Sequence, residues 1–268
     1  QLFADAKRLT AHAKYRNAGT VEFLVDQQGR YYFIEVNPRA SRTVPFVSKA
    51  VGVSLAKVAA RCMAGQSLVR QGVTREIVPP YYSVKEAVLP FNKFPGTDPI
   101  LGPEMKSTGE VMGTGDTFPG AFARAQLGAG DDPPTSGLCL ISVRDADKPA
   151  AIDVARRLVA QGFTLAATGG TAKALENAGL AVQQVNKVAE GRPHIVDLIK
   201  NDEAAMIINT TEGRRAIIDS ASIRASAEQH NVFYTTTLAA AEAVCMALEQ
   251  ETDITVRRLQ DLHKSIVA

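Results

Sequence analysis

The second half of the chain alternates short apolar runs with stretches of helical period, and this alternation constrains the fold more than any other feature. Runs at Leu138–Val143, Thr164–Ala167, Ala205–Asn209 and Val232–Tyr234, with a weaker one near Val182–Val185, read as strands. Between them, Ala150–Gln161, Thr171–Ala178, Arg214–Ala225 and Leu238–Leu248 read as helices. Strands so short and apolar are buried on both faces, and successive strands separated by a crossover helix run parallel. The spacing therefore predicts an α/β domain: a doubly wound, flavodoxin-like parallel sheet in three layers.

The first half is less regular and reads as α+β. A helix opens it, with Leu2, Phe3, Ala6, Leu9 and Ala13 at helical spacing. Strands Val21–Val25 and Tyr31–Asn37 flank the turn-prone Asp26-Gln27-Gln28-Gly29. A helix follows from about Val53 to Ala64, then an apolar strand near Ser83–Pro90, a Gly/Pro-rich stretch over 95–115 and a short helix at Phe118–Leu127. Residues 128–137, Gly-Ala-Gly-Asp-Asp-Pro-Pro-Thr-Ser-Gly, are the best linker in the chain. They divide it into segments 1–130 and 131–268, with charge balances of +6 (16 Lys+Arg, 10 Asp+Glu) and −4 (14 and 18).

The charge sums to +2, too balanced for a protein that coats nucleic acid. The longest stretch between charged residues is the 15 residues Leu158–Ala172, broken by Gly169-Gly170, too short for a membrane span. The three cysteines, Cys62, Cys139 and Cys245, fit neither zinc spacing nor a disulfide framework. They are expected to be reduced, buried thiols of a cytoplasmic protein. The chain begins at Gln1 inside an amphipathic pattern, which suggests a piece of something longer.

Two clusters carry chemistry. At the end of the second strand, Glu35, Asn37 and Arg39 alternate with Val36 and Pro38, so the three polar groups share one face. Glu22 on the preceding strand is expected diagonally across from Glu35. These are hard oxygen ligands for a divalent cation beside a guanidinium for phosphoryl oxygens, or else the wet face of an ordinary hairpin. The loop Ala40–Phe46 follows. In the second segment, Thr168-Gly169-Gly170-Thr171 ends a strand and opens a helix, the place where backbone amides attract an anion. Lys148, Lys187, Arg214 and Arg215 fall at strand ends or helix starts nearby, although Gly-Gly is equally a tight turn and the lysines could be solvated.

The run Phe33-Ile34-Glu35-Val36-Asn37-Pro38-Arg39, continued by Arg42-Thr43-Val44-Pro45-Phe46-Val47-Ser48-Lys49, resembles the large subunit of carbamoyl phosphate synthetase. The likeness extends through Tyr81–Glu86 and Leu89–Gly96 to the C-terminus. It implies that segment 1–130 is the tail of the carbamate-phosphorylating ATP-grasp unit, and that segment 131–268 is a methylglyoxal-synthase-like regulatory domain. By the same resemblance, Glu22, Glu35 and Asn37 bind Mg²⁺ (or Mn²⁺) bridging ATP phosphates. Glu22 stands where the family often has Gln. Arg39 lies near the phosphates and Arg42 helps hold carbamate. The nucleotide-holding part of such a unit lies upstream in the family, so this polypeptide by itself is expected to make no carbamoyl phosphate.

The resemblance further implies that Ser142, Lys148, Thr168, Thr171, Lys187, Asn209, Thr210 and Thr211 bind an effector mononucleotide, UMP or IMP, with Arg214 a nearby phosphate partner. Gly169 replaces a His found in bacterial relatives. His194 reads equally as a ligand contact or a structural hydrogen-bonder. Glu86, Tyr234 and Thr236 resemble the ornithine site, with residues from both sides of the linker. The expected partners are the rest of the large subunit, a glutamine amidotransferase small subunit and further copies through the regulatory domain. Two other readings stay open: a freestanding methylglyoxal synthase-type lyase, with Asp145 or Asp197 as the nearest catalytic carboxylates, and a nucleotide-sensing module without chemistry. The Arg257–Ile266 tail reads as a docking helix.

Overall fold

The structure, a computed structural model, describes residues 1–94, 99–101, 106–250 and 256–266; the side chains of Asn92, Arg214, Arg215 and Asp219 also lie outside the described residues. The last residues of the Leu89–Gly96 motif and part of the Gly/Pro-rich stretch fall outside them too. The chain packs into two compact units, residues 1–80 with the tail 256–266, and residues 81–250. The break in packing is thus not at the expected linker. Residues 128–137 lie inside the second unit, because the helix before them packs with the residues that follow.

In the first unit, α1 (Leu2–His12) precedes the antiparallel hairpin of β1 (Thr20–Val25) and β2 (Tyr31–Asn37). The Asp26 carboxylate shapes the turn by accepting the backbone N–H groups of Gln28 and Arg30. Helices α2 (Thr43–Val51) and α3 (Leu55–Met63) follow. The stretch expected as an Ala40–Phe46 loop is therefore already helical from Thr43. Pro45 sits in the first turn of α2, where no backbone donor is needed, and so does not stop the helix. Gly52 ends α2 in the left-handed region at φ +73°. Of the described residues in this unit only Ala50 is buried, and Phe3, Ile34, Met63 and Val78 remain exposed.

The second unit begins with a hairpin of β3 (Tyr82–Val88) and β4 (Gly109–Gly115), covered by α4 (Phe118–Ala129). The expected alternation then follows: β5 (Gly137–Ser142), α5 (Lys148–Ala160), β6 (Phe163–Thr168), α6 (Gly169–Asn177), β7 (Gln183–Val185), α7 (Ile195–Lys200), β8 (Ala204–Asn209), α8 (Arg214–Asp219), α9 (Ala221–Gln229), β9 (Phe233–Thr235) and α10 (Leu238–Leu248). Two departures stand out. Helix α7 was not expected, being only six residues long. The single helix expected over 214–225 breaks at Ser220, which caps α8 and opens α9. The tail helix α11 (Leu259–Lys264) docks on the first unit: His263 Nε2 lies 2.6 Å from the Lys49 carbonyl oxygen, and its ring packs against Gly52.

Strands β5 to β9 form an all-parallel sheet in the order β7-β6-β5-β8-β9. Alternate residues feed opposite cores. Cys139 and Ile141 face α5, α6 and α10, whereas Leu140 and Ile207 face α7 and α9. This is the predicted three-layer, doubly wound architecture. Counted within the sheet, the order is 3-2-1-4-5, against 2-1-3-4-5 in flavodoxin, so the winding direction reverses between β5 and β8. No single helix among the described residues is long and apolar enough to cross a membrane.

The cysteines divide by environment. Cys139 and Cys245 are buried in one core, and burial pushes both thiols up, Cys245 to about 11. Cys62, expected to be buried as well, is half-buried and borders a cavity of about 650 Å³ between Tyr15 and α3. A thiol reagent at pH 8 is expected to label Cys62 alone in the native protein and all three cysteines after denaturation. Mass spectrometry of the native adduct checks this; modification of Cys139 without unfolding would contradict the packing.

Candidate functional site

The C-terminal ends of the parallel strands bring the predicted phosphate residues together. Ser142, Thr168 and Asn209 end β5, β6 and β8, and Ser142 is in register with Asn209. The Ser142 and Thr168 hydroxyls hydrogen-bond at 3.0 Å. The Thr210 N–H donates to the Ser142 carbonyl at 3.1 Å, and the Thr210 hydroxyl accepts from the Arg144 N–H at 3.2 Å. Thr171 is buried and its hydroxyl accepts from the Val143 N–H at 3.2 Å. These bonds fasten the loops on either side of the winding reversal, the crevice where doubly wound sheets hold ligands.

Helix α6 starts on the glycines themselves, earlier than expected, with Thr168 as its N-cap and no side chain capping its amides. Its first N–H groups are therefore available to an anion. Lys148, the first residue of α5, lies across this N-terminus: a Cβ at Gly170 would come within 3.0 Å of the Lys148 Nζ. A Cβ at Gly170 would crowd the end of the Lys148 side chain, which is flexible enough to shift. Lys148 also pairs with Asp145 at 2.6 Å. The Lys148 hydrogen bond and charge hold the Asp145 carboxyl below the usual range, and the more distant charge of Lys187 adds slightly to them. Thr211 follows in the same loop as Thr210, and Arg214 opens α8 with its side chain outside the described residues.

Sequence reasoning missed the staple that shapes this site. Arg144 Nε donates to Asp147 at 2.9 Å, and Arg144 Nη1 reaches Glu212 at 3.2 Å, linking the loops after β5 and β8. The charge-alternating run Arg144-Asp145-Ala146-Asp147-Lys148 was the available signal. His194 makes a structural contact as the N-cap of α7. Its Nδ1 accepts from the Asp197 N–H at 3.3 Å while Asp197 accepts from the His194 N–H at 3.0 Å, a reciprocal cap on α7.

On the first unit, Glu22 sits directly opposite Glu35 rather than diagonally, because a bulge after Glu22 shifts the register. Asn37 joins them, its amide 3.0 Å from Glu22 Oε1 and 2.8 Å from Glu35 Oε1. Three side chains able to offer hard oxygens thus share one face. Elsewhere on the hairpin, Phe23 packs edge-on to Tyr31 and Phe33. Arg39 is exposed beyond the strand, and Arg42 is the N-cap of α2. Among the described residues, no group of three or more His, Cys, Asp or Glu could hold a metal by themselves, so Asn37 is needed to complete a set.

The residues likened to an ornithine site all fall in the second unit. Glu86 on β3 accepts from Gln126 Nε2 at 2.9 Å. Partial burial raises its pKa, and the charge of Asp131 adds to the rise. Tyr234 lies on β9 with its side chain against one core, and Thr236 is exposed just after the strand.

Residues 1–71 match the family described as carbamoyl-phosphate synthase L chain, ATP binding domain, and residues 150–236 match the MGS-like domain. Across 90% of its length the chain is 64% identical to the carbamoyl phosphate synthase large chain of Pseudomonas putida, covering 23% of that protein. It is 66% identical over 98% of its length to the same protein of Halomonas eurihalina, covering 24% of it. The chain belongs to the carbamoyl phosphate synthase large-chain family. It is likewise 54% identical over 98% of its length to the large chain of Vibrio cholerae, and it spans about a quarter of these relatives.

Within the carbamoyl phosphate synthase large-chain family match, the hairpin carrying Glu22, Glu35 and Asn37 falls in the ATP-binding part. The sheet ends carrying Thr168, Thr171, Lys187 and Asn209 fall in the MGS-like part. Of the two carboxylates considered for lyase chemistry, Asp197 caps α7, and Asp145 is exposed and paired with Lys148.

Proposed function

We propose that this chain supplies the C-terminal part of a glutamine-hydrolysing carbamoyl phosphate synthase large subunit, a cytoplasmic enzyme, and that its second unit is an effector module. The observation that carries the reading is the anion cradle of the second unit. An uncapped helix N-terminus with a lysine laid across it lies beside buried hydroxyls at the C-terminal ends of the parallel strands. A helix terminus contributes only ~0.3–1 kcal/mol, so the lysines supply most of the attraction for a phosphate. Lys148, Thr168, Thr171 and Lys187 take the phosphate. Ser142, Asn209, Thr210 and Thr211 stand beside ribose and base, with Arg214 adjacent. UMP and IMP are the expected occupants.

Ornithine is the second expected effector, held by Glu86, Tyr234 and Thr236. A half-buried carboxylate whose charge is disfavoured by burial gains from pairing with an ammonium, which suits the side chain of ornithine to Glu86.

In the first unit, Glu22, Glu35 and Asn37 fit Mg²⁺ or Mn²⁺ by donor type, with the Asn37 side chain turned to present its oxygen. Bound there with ATP, the cation neutralises phosphoryl charge. Arg39 complements the phosphates from the end of the same strand, and Arg42 at the start of α2 orients carbamate. The remainder of the large subunit and a glutamine amidotransferase small subunit complete the enzyme, with further copies assembling through the effector unit.

Isothermal titration of the purified chain tests the effector reading. UMP is expected to bind saturably at one site, with IMP competing for it and ornithine binding independently. Absence of UMP and IMP binding at millimolar concentrations would refute the reading.

A further inference from the structure

Asp145 lies in the midst of this site without a structural task. The two carboxylates of the 144–148 run have opposite surroundings. Asp147 is held by Arg144 Nε at 2.9 Å and by the Thr210 hydroxyl, and so belongs to the staple between loops. Asp145 instead has a side chain 95% exposed, pairs with Lys148 at 2.6 Å and feels the charge of Lys187. An exposed carboxylate leaves its partner without a desolvation cost, so this pair is readily exchanged. Lys148 Nζ is also the cation that reaches over the start of α6, where Gly170 leaves room for it. An anion arriving at that N-terminus needs the same ammonium group, and a carboxylate left beside a dianionic phosphate would repel it.

Resting on the phosphate reading of the site, we infer that Asp145 is the cradle's own anionic partner for Lys148, which an incoming nucleotide phosphate displaces. Asp145 thereby sets the affinity of the site without contacting the ligand. It lowers occupancy at any given effector concentration.

Asp145→Asn preserves size and removes the charge. By isothermal titration at low ionic strength, its affinity for UMP and for inorganic phosphate is expected to rise roughly 2- to 5-fold, the range that release from an exposed ion pair corresponds to. The gain is expected to shrink in high salt. Asp153→Asn is the control. Asp153 lies on α5, the helix that Lys148 opens, and forms an exposed pair with Arg156 at 3.2 Å, so its replacement removes the same charge away from the cradle. Affinity in that variant is expected to stay at the wild-type value. Unchanged or weaker binding in Asp145→Asn overturns the inference, as does an equal gain in Asp153→Asn. If the wild-type chain binds neither UMP nor phosphate, the phosphate reading falls, and the inference with it.

Discussion

Lys148→Ala is expected to weaken UMP binding roughly 10- to 100-fold, the loss that follows removal of a charge-assisted hydrogen bond to phosphate. The residue opens α5, and alanine is a good helix former, so the variant keeps its fold. Its only side-chain partner in the ion-pair network of the described residues is the exposed Asp145, so no buried charge is orphaned. The loss should therefore appear in ligand affinity and leave the thermal unfolding midpoint nearly unchanged. Titration with both UMP and inorganic phosphate separates the phosphate contribution from that of the base, because both ligands should weaken by similar factors. Undiminished affinity for either would show that Lys148 lies outside the cradle in solution.

Gly113→Ala is expected to cost about 3 kcal/mol or more, or to prevent folding of the second unit. Gly113 lies on β4 under α4, where a Cβ would come 2.0 Å from the Ala121 carbonyl oxygen and 2.4 Å from the Ala125 nitrogen. Those are backbone atoms of a helix whose Ala121 and Ala125 are fully buried, so the clash is relieved only by lifting α4 off the hairpin. Gly109 on the same strand is the internal contrast. A Cβ there meets nothing within 4 Å, and its alanine variant should change stability by no more than about 0.5 kcal/mol. Urea unfolding followed by circular dichroism checks both, and a Gly113→Ala variant as stable as Gly109→Ala would contradict the packing of α4 on β4.

The legible parts of this protein are those where local chemistry and tertiary structure agree. Parallel strands buried on both faces must be apolar throughout, so β5, β6 and β8 announced themselves by composition. The turn at Asp26 was visible because it needs particular residues for its backbone. Short helices were harder. The six residues of α7 are held by a His194–Asp197 cap and by burial of Ile195, Leu198 and Ile199, not by propensity. Helix α2 was hidden by Pro45, whose meaning depends on whether a helix has just begun or is under way.

Sequence by itself determined the period of the second half, and with it an all-parallel, three-layer domain, together with the candidate phosphate and carboxylate residues. Period and residue type depend only on each strand's own surroundings, which the chain encodes locally. The tertiary structure decided which candidates meet. It set Glu22 squarely opposite Glu35 through a bulge, grouped residues 81–130 with the sheet despite a proline-rich linker, and laid Lys148 over Gly170. Such juxtapositions depend on strand order and helix docking between residues far apart in the chain, where packing rather than local propensity sets the geometry.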